Sequence, residues 1–108
     1  MKKVYLFCNA GMSTSLLASK MQGVADQHEL PIEVKAYSDS KMEEIVQEKN
    51  PDVIFLGPQV KYLLDQTKEK YGDLGIPIEV INLEDYGNVN GERVLKRAIM
   101  LIKSKGEK

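Results

Sequence analysis

Val4-Tyr5-Leu6-Phe7-Cys8-Asn9-Ala10-Gly11-Met12-Ser13-Thr14-Ser15-Leu16-Leu17 is the stretch that decides the fold. It reads as a short buried strand, a loop of small residues and the first turns of a helix. A strand that feeds a helix in this way points several unpaired backbone N–H groups at one place, and the helix dipole adds partial positive charge there. The result is an anion site made of main chain. Cys8, the one cysteine of the sequence, stands at its entrance.

Outward from this stretch, strand and helix patterns alternate. Lys3 to Phe7 is an apolar run of strand formers. Ser13 to about His28 has helical spacing, with Leu17, Met21, Val24 and Ala25 on one face, and Leu30-Pro31 ends it. Ile32 to Tyr37 alternates, with Ile32, Val34 and Ala36 on one side, which places it at a sheet edge. Ser40 with Glu43 reads as a capping box for a second helix, whose Met42, Ile45 and Val46 face inward. Asn50-Pro51-Asp52 is a turn.

Val53 to Leu56 is a second uninterrupted apolar run, stopped by Gly57-Pro58. Val60, Leu63, Leu64 and Thr67 mark a third helix ending near Tyr71-Gly72. Ile76 to Ile81 is a fourth strand, and its Pro77 and Glu79 make it a second edge. Asn82 to Asn90 reads as a polar irregular loop. Asn90 caps a last helix with an inward stripe of Val94, Leu95, Ala98, Leu101 and Ile102. Ser104 to Lys108 reads as a frayed tail.

Four strands alternating with four helices through short loops imply an α/β fold, a flavodoxin-like three-layer sandwich with helices on both faces of a parallel sheet. Runs 1 and 3 are apolar throughout and belong inside; runs 2 and 4 belong at the edges. The strand order that satisfies this is 2-1-3-4. Its topological switch point lies between strands 1 and 3, where ligands of such sheets bind at the carboxyl ends. Cys8 ends strand 1, and Gly57-Pro58-Gln59 follows strand 3 beside it.

Composition sets the outer limits. At 108 residues the chain reads as one domain, 1–108, with 43% apolar and 29% charged residues, as in an ordinary globular protein. Fifteen basic and sixteen acidic residues nearly cancel, so there is no electrostatic footprint for nucleic acid. One cysteine makes no internal disulfide, which fits a reducing compartment. The apolar run after Met1-Lys2-Lys3 is too short for a signal-peptide core, and no run approaches the roughly 20 residues of a membrane span. The expectation is a cytoplasmic monomer, without direct membrane insertion.

The chemistry follows from the loop. A thiolate is the reactive form of cysteine, and a helix N-terminus favours it. The same loop N–H groups would bind the oxygens of an incoming phosphoryl group and stabilise its transition state without reorganising. Gly11 permits close approach, Ala10 leaves room, and Ser13, Thr14 and Ser15 offer hydroxyls. No charged side chain occurs between Lys3 and Lys20. Cysteine phosphatases instead clamp phosphate with the Arg of a C-x5-R loop. Here that position holds Thr14. A loop that accepts and passes on a phosphoryl group has no need to activate water, so a carrier is favoured over a phosphatase.

Cys8-Asn9-Ala10-Gly11-Met12-Ser13-Thr14-Ser15 resembles the active-site loop of the IIB component of the bacterial sugar phosphotransferase system, lactose/cellobiose/chitobiose class. The resemblance runs over the whole chain, including Gly57-Pro58-Gln59 and the stretch from Tyr86-Gly87 to Gly91. It implies the flavodoxin-like fold and a phosphocysteine at Cys8. The phosphoryl group would come from a histidine of the IIA component and pass to a sugar bound in the membrane component IIC. Asn9, Ala10, Gly11, Met12, Ser13, Thr14 and Ser15 would form the phosphate cradle, with Gly57, Pro58 and Gln59 as second-loop contacts. Asn9 stands where a small Ser or Ala is expected. The resemblance calls for no cofactor and no metal, and for transient docking at the inner face of the membrane.

Two other readings stay open at this stage. One is a low-molecular-weight cysteine phosphatase, for which Asp85, beside Tyr86, would be the general acid rather than a solvated turn residue. The other is a non-catalytic anion-binding module. Met12 is either a partner contact or packed inward. His28 falls at the far end of helix 1, where it complements the dipole rather than carrying phosphate.

Overall fold

The computed structural model describes residues 1–9 and 11–106, without the side chains at 11–13 and 105–106. Four parallel strands, β1 (Lys2–Cys8), β2 (Ile32–Ser38), β3 (Val53–Leu56) and β4 (Ile78–Val80), form one sheet in the order β2-β1-β3-β4. The flavodoxin-like order expected from the apolar runs is the one found. Cys8 pairs in register with Ser38, and Phe7 with Leu56.

Side chains alternate across a strand, so an all-apolar strand has to be covered on both faces. In β1, Val4 and Leu6 point to one face and Tyr5 and Phe7 to the other, all fully buried. Helices α1 (Gly11–Gln27) and α5 (Gly91–Gly106) cover the first face, with Leu17, Met21, Ala25, Val94, Leu95 and Ala98. Helices α2 (Met42–Lys49) and α3 (Leu64–Tyr71) cover the second, with Met42, Ile45, Val46 and Tyr71. Burial holds the Tyr5 phenol above its ordinary range, and its 2.6 Å bond to the Glu33 carboxylate of β2 raises it further. Tyr5 therefore stays a donor throughout the physiological range.

The outer border of β2 is covered near its start by a side chain. Gln22 of α1 accepts from Val34 N at 2.7 Å and donates to Ile32 O at 2.9 Å. One carboxamide thus satisfies one outward donor and one outward acceptor of the edge strand.

Several local expectations need correction. The box at Ser40 does not form: a 3-10 turn, Asp39–Lys41, comes first, capped by the Ser38 hydroxyl, and α2 starts after it without a side-chain cap. The third helix is split. Gly57-Pro58 opens a 3-10 segment, Pro58–Leu63, with non-helical backbone at Val60, and the α-helix begins only at Leu64. The fourth strand, Ile78–Val80, starts only after Pro77, which donates no ladder bond. The loop after β4 contains a short helix, α4 (Leu83–Gly87), capped by Asn82 Oδ1 on Asp85 N at 3.1 Å. The expected tail is helical to Gly106, while 107–108 lie outside the described residues.

Asn90 does cap α5, accepting from Arg93 N at 3.2 Å. Next to it, buried Gly91 lies against the backbone of α1: a Cβ there would sit 2.8 Å from Met21 N and 2.9 Å from Lys20 C. Main chain in the middle of a helix cannot step aside, so α1 and α5 meet this closely only over a glycine. Gly91→Ala is expected to cost about 1–3 kcal/mol, lowering the melting temperature by roughly 5–15 °C in a calorimetric scan. An unchanged melting temperature would show that this contact yields freely.

Candidate functional site

The site forms at the carboxyl ends of β1 and β3. The ladder continues one step beyond β3, where Gly57 N donates to Phe7 O at 2.8 Å. That bond sets Gly57 directly beside Cys8: a Cβ on Gly57 would lie 2.9 Å from Cys8 Sγ and 3.1 Å from Gln59 Oε1. Gly57 has an ordinary extended backbone, φ −63° and ψ 152°, so it is required for space and not for conformation.

Cys8 is 1% exposed and unpaired. Its thiol donates to Gln59 Oε1 at 3.4 Å and lies 3.8 Å from Asn9 Oδ1. Gln59 is itself exposed, so its carboxamide stands between the sulfur and solvent. From the other end of that carboxamide, Nε2 donates to Tyr86 Oη at 3.3 Å. Tyr86 Oη is 3.0 Å from Thr14 Oγ1, a fully buried hydroxyl in the first turns of α1. A continuous polar chain therefore runs Cys8–Gln59–Tyr86–Thr14 and joins β1, the segment after β3, α4 and α1.

Sequence reasoning placed the members of the site unevenly. Cys8, Asn9, Gly57 and Gln59 come together as expected, and Pro58 starts the 3-10 segment that carries Gln59. Thr14 reaches the site through Tyr86. Ser15 is exposed on α1. Ala10 and the side chains of Gly11, Met12 and Ser13 lie outside the described residues. Tyr86 is the member whose connecting role sequence reasoning missed. Its position in a loop after an edge strand was visible, but a contact 72 residues away from Thr14 was not.

No acidic residue occupies the first turn of α1, which leaves the positive end of its dipole unopposed there. The arginines are committed elsewhere. Arg93 pairs with Asp85 at 3.2 Å, and Arg97 with Glu79. Both pairs line a separate cavity of about 500 Å³ between β4 and α5, with Asn82 and Met100. Asp85 is thus an ion-pair partner on that flank and not a solvated turn acid. His28 is exposed just beyond the C-terminus of α1, at the opposite end of the sheet from Cys8. Leu16, Tyr62 and Leu83, three exposed large apolar residues, stand on α1, the 3-10 segment and α4, the elements that converge at Cys8.

Comparison with known proteins places this arrangement in a family. Residues 3–97 match the family described as PTS system, Lactose/Cellobiose specific IIB subunit, and the chain belongs to it. It is 39% identical over 100 residues to the PTS system galactose-specific EIIB component of Lactococcus lactis subsp. cremoris (strain MG1363), covering 90% of this chain and 93% of the relative. It is equally similar, over the same shares, to the PTS system cellobiose-specific EIIB component of Lactococcus lactis subsp. lactis (strain IL1403). Among solved structures, the cellobiose-specific phosphotransferase IIB component protein from Borrelia burgdorferi superposes with a TM-score of 0.78. It shares 36% sequence identity, over 96% of this chain and 94% of that one. The protein is therefore a sugar phosphotransferase IIB component of the lactose/cellobiose type. Among the described residues no helix is long and apolar enough to cross a membrane.

Proposed function

We propose that Cys8 is the phosphoryl carrier of this IIB component. In the first step its thiolate attacks the phosphorus held on a histidine of the IIA component: the P–N bond breaks and an S–P bond forms. In the second, a hydroxyl of a disaccharide of the cellobiose, chitobiose or lactose kind, bound in the membrane component IIC, attacks the same phosphorus. The S–P bond breaks, an O–P bond forms, and the hydroxyl proton leaves to a base. The carrier works as a one-domain cytoplasmic monomer that meets IIC at the inner membrane face.

One observation carries this reading: an unpaired cysteine at the switch point of the sheet, beside an uncharged helix N-terminus. Family membership gives it context. Exposed Leu16, Tyr62 and Leu83 supply apolar surface for two successive partners at this end. Hydrolysis is disfavoured, because the position of a phosphatase arginine is held by Thr14, whose hydroxyl is taken by Tyr86. The two equally similar relatives are named for different sugars, galactose and cellobiose, so the sugar is left at the level of a class.

The test is to incubate the protein with a IIA component phosphorylated on its histidine and to weigh the intact protein. A gain of one phosphoryl group, lost on treatment with thiol-directed reagents, is the expected result. No gain, or rapid release of inorganic phosphate, would overturn the carrier reading.

A further inference from the structure

We propose that Gln59 is a positioning residue that serves Cys8 in both its thiol and its thiolate form, by turning its carboxamide end over end. The proposal rests on the carrier reading only in supposing that the thiolate is a working state. What carries it is that both ends of this exposed side chain are engaged: Oε1 receives the Cys8 S–H, and Nε2 donates to Tyr86 Oη. A residue that merely packed against the sulfur would need neither bond.

With the thiol protonated, the chain has one direction as far as Tyr86. The sulfur donates to Gln59, and Gln59 donates to Tyr86, whose own proton is then free to go to Thr14; between those two hydroxyls either can donate. When the thiol loses its proton to a solvent base, Oε1 faces a negative sulfur and the contact becomes repulsive. A half-turn about the last side-chain bond of Gln59 then brings Nε2 to the sulfur as a charge-assisted donor. Oε1 in turn faces Tyr86, which donates to it, and Thr14 donates to Tyr86. A carboxamide is a donor at one end and an acceptor at the other, and each hydroxyl does either. The chain therefore reverses by rotations alone, and no proton travels along it.

Among the described residues only one other side chain offers the sulfur a carboxamide, that of Asn9, and its Oδ1 lies farther off at 3.8 Å. The elements converging on Cys8 present Ser38 from β2, Gly57 after β3, Gln59, Tyr86 from α4 and Thr14 from α1. The charged groups adjoining them in sequence are Asp39 and Lys41, Lys61, Glu84 and Asp85, the last held by Arg93. The sulfur's own hydrogen-bond partners among the described residues are carboxamides, and Asn9 is the more distant.

The test is the pH profile of Cys8 alkylation by iodoacetamide, with the unphosphorylated protein and no partner. Gln59→Met keeps the length of the side chain and removes the donor. It is expected to slow alkylation about tenfold at pH 7, the worth of one hydrogen bond to a charged group, and to rejoin the wild type near pH 10. Gln59→Glu, which puts a second negative charge against the thiolate, is expected to be slower still at pH 7. A constant ratio of Gln59→Met to wild type at both pH values would mean a packing role, and an unchanged or faster rate at pH 7 would exclude any thiolate donor. In the wild-type protein, the Gln59 carboxamide resonances are expected to move with the alkylation profile; resonances that stay fixed would also overturn the proposal. None of these outcomes depends on phosphoryl transfer, so the carrier reading stands or falls separately.

Discussion

Cys8→Ser protein mixed with a phosphorylated IIA component is expected to gain no phosphoryl group, with acceptance reduced by roughly 10⁴-fold or more, the scale seen when a covalent nucleophile is removed. The reason is chemical. A serine hydroxyl is a weak nucleophile unless an adjacent base takes its proton. Among the described residues, Cys8 contacts two carboxamides and no base. The variant should nevertheless fold. Serine is smaller than cysteine, and its hydroxyl finds the Gln59 Oε1 that the thiol uses. A melting temperature close to wild type, with no phosphoprotein by intact mass, is the full expected result. Phosphoprotein formed by the serine variant would place the accepting group elsewhere.

Gly57→Ala is expected to lower phosphoryl acceptance by about 10²-fold while leaving Cys8 present and reduced. The added methyl would lie 2.9 Å from Cys8 Sγ and 3.2 Å from its Cβ. The Cβ belongs to a strand and cannot yield, so the sulfur or the Gln59 carboxamide has to move. A reacting atom displaced by about 1 Å costs on the order of 10² in rate. Stability is expected to fall by about 1–3 kcal/mol, as for an overpacked core site. Single-turnover phosphorylation and urea denaturation of the same preparation separate the two effects. A rate equal to wild type would show that the sulfur keeps its place despite the methyl, and that the tight fit at Gly57 does not position it.

These results turn on features that the sequence displays to different degrees. The two-sided burial of Val4–Phe7 and Val53–Leu56 is written in their unbroken apolar character, and from it follow strand order, switch point and the pairing of Cys8 with Gly57. Caps resting on one side chain were mixed. Asn90 serves α5, but Ser40 yields to Ser38, because a 3-10 turn inserted before α2 moves the first free N–H groups upstream. Helix α4 went unread because five residues bounded by Asn82 and Asn88 carry too little periodicity to stand out. Asn82 three positions before the N–H of Asp85 was the one clue available. With α4 unread, neither the Asp85–Arg93 pair nor the Tyr86 link between Gln59 and Thr14 could be foreseen, since both depend on how that helix packs and not on spacing along the chain.

Gln22 has a consequence for how the molecule behaves in a crowd. A foreign strand approaching β2 finds the Val34 N–H and the Ile32 carbonyl already occupied. Growth by adding chains side by side, the route to fibrils, is hindered at the start of that flank. The opposite flank is a strand of only three residues, Ile78–Val80, a poor template for a newcomer. Both edges of the sheet thus offer a second copy of the chain little to pair with at those positions.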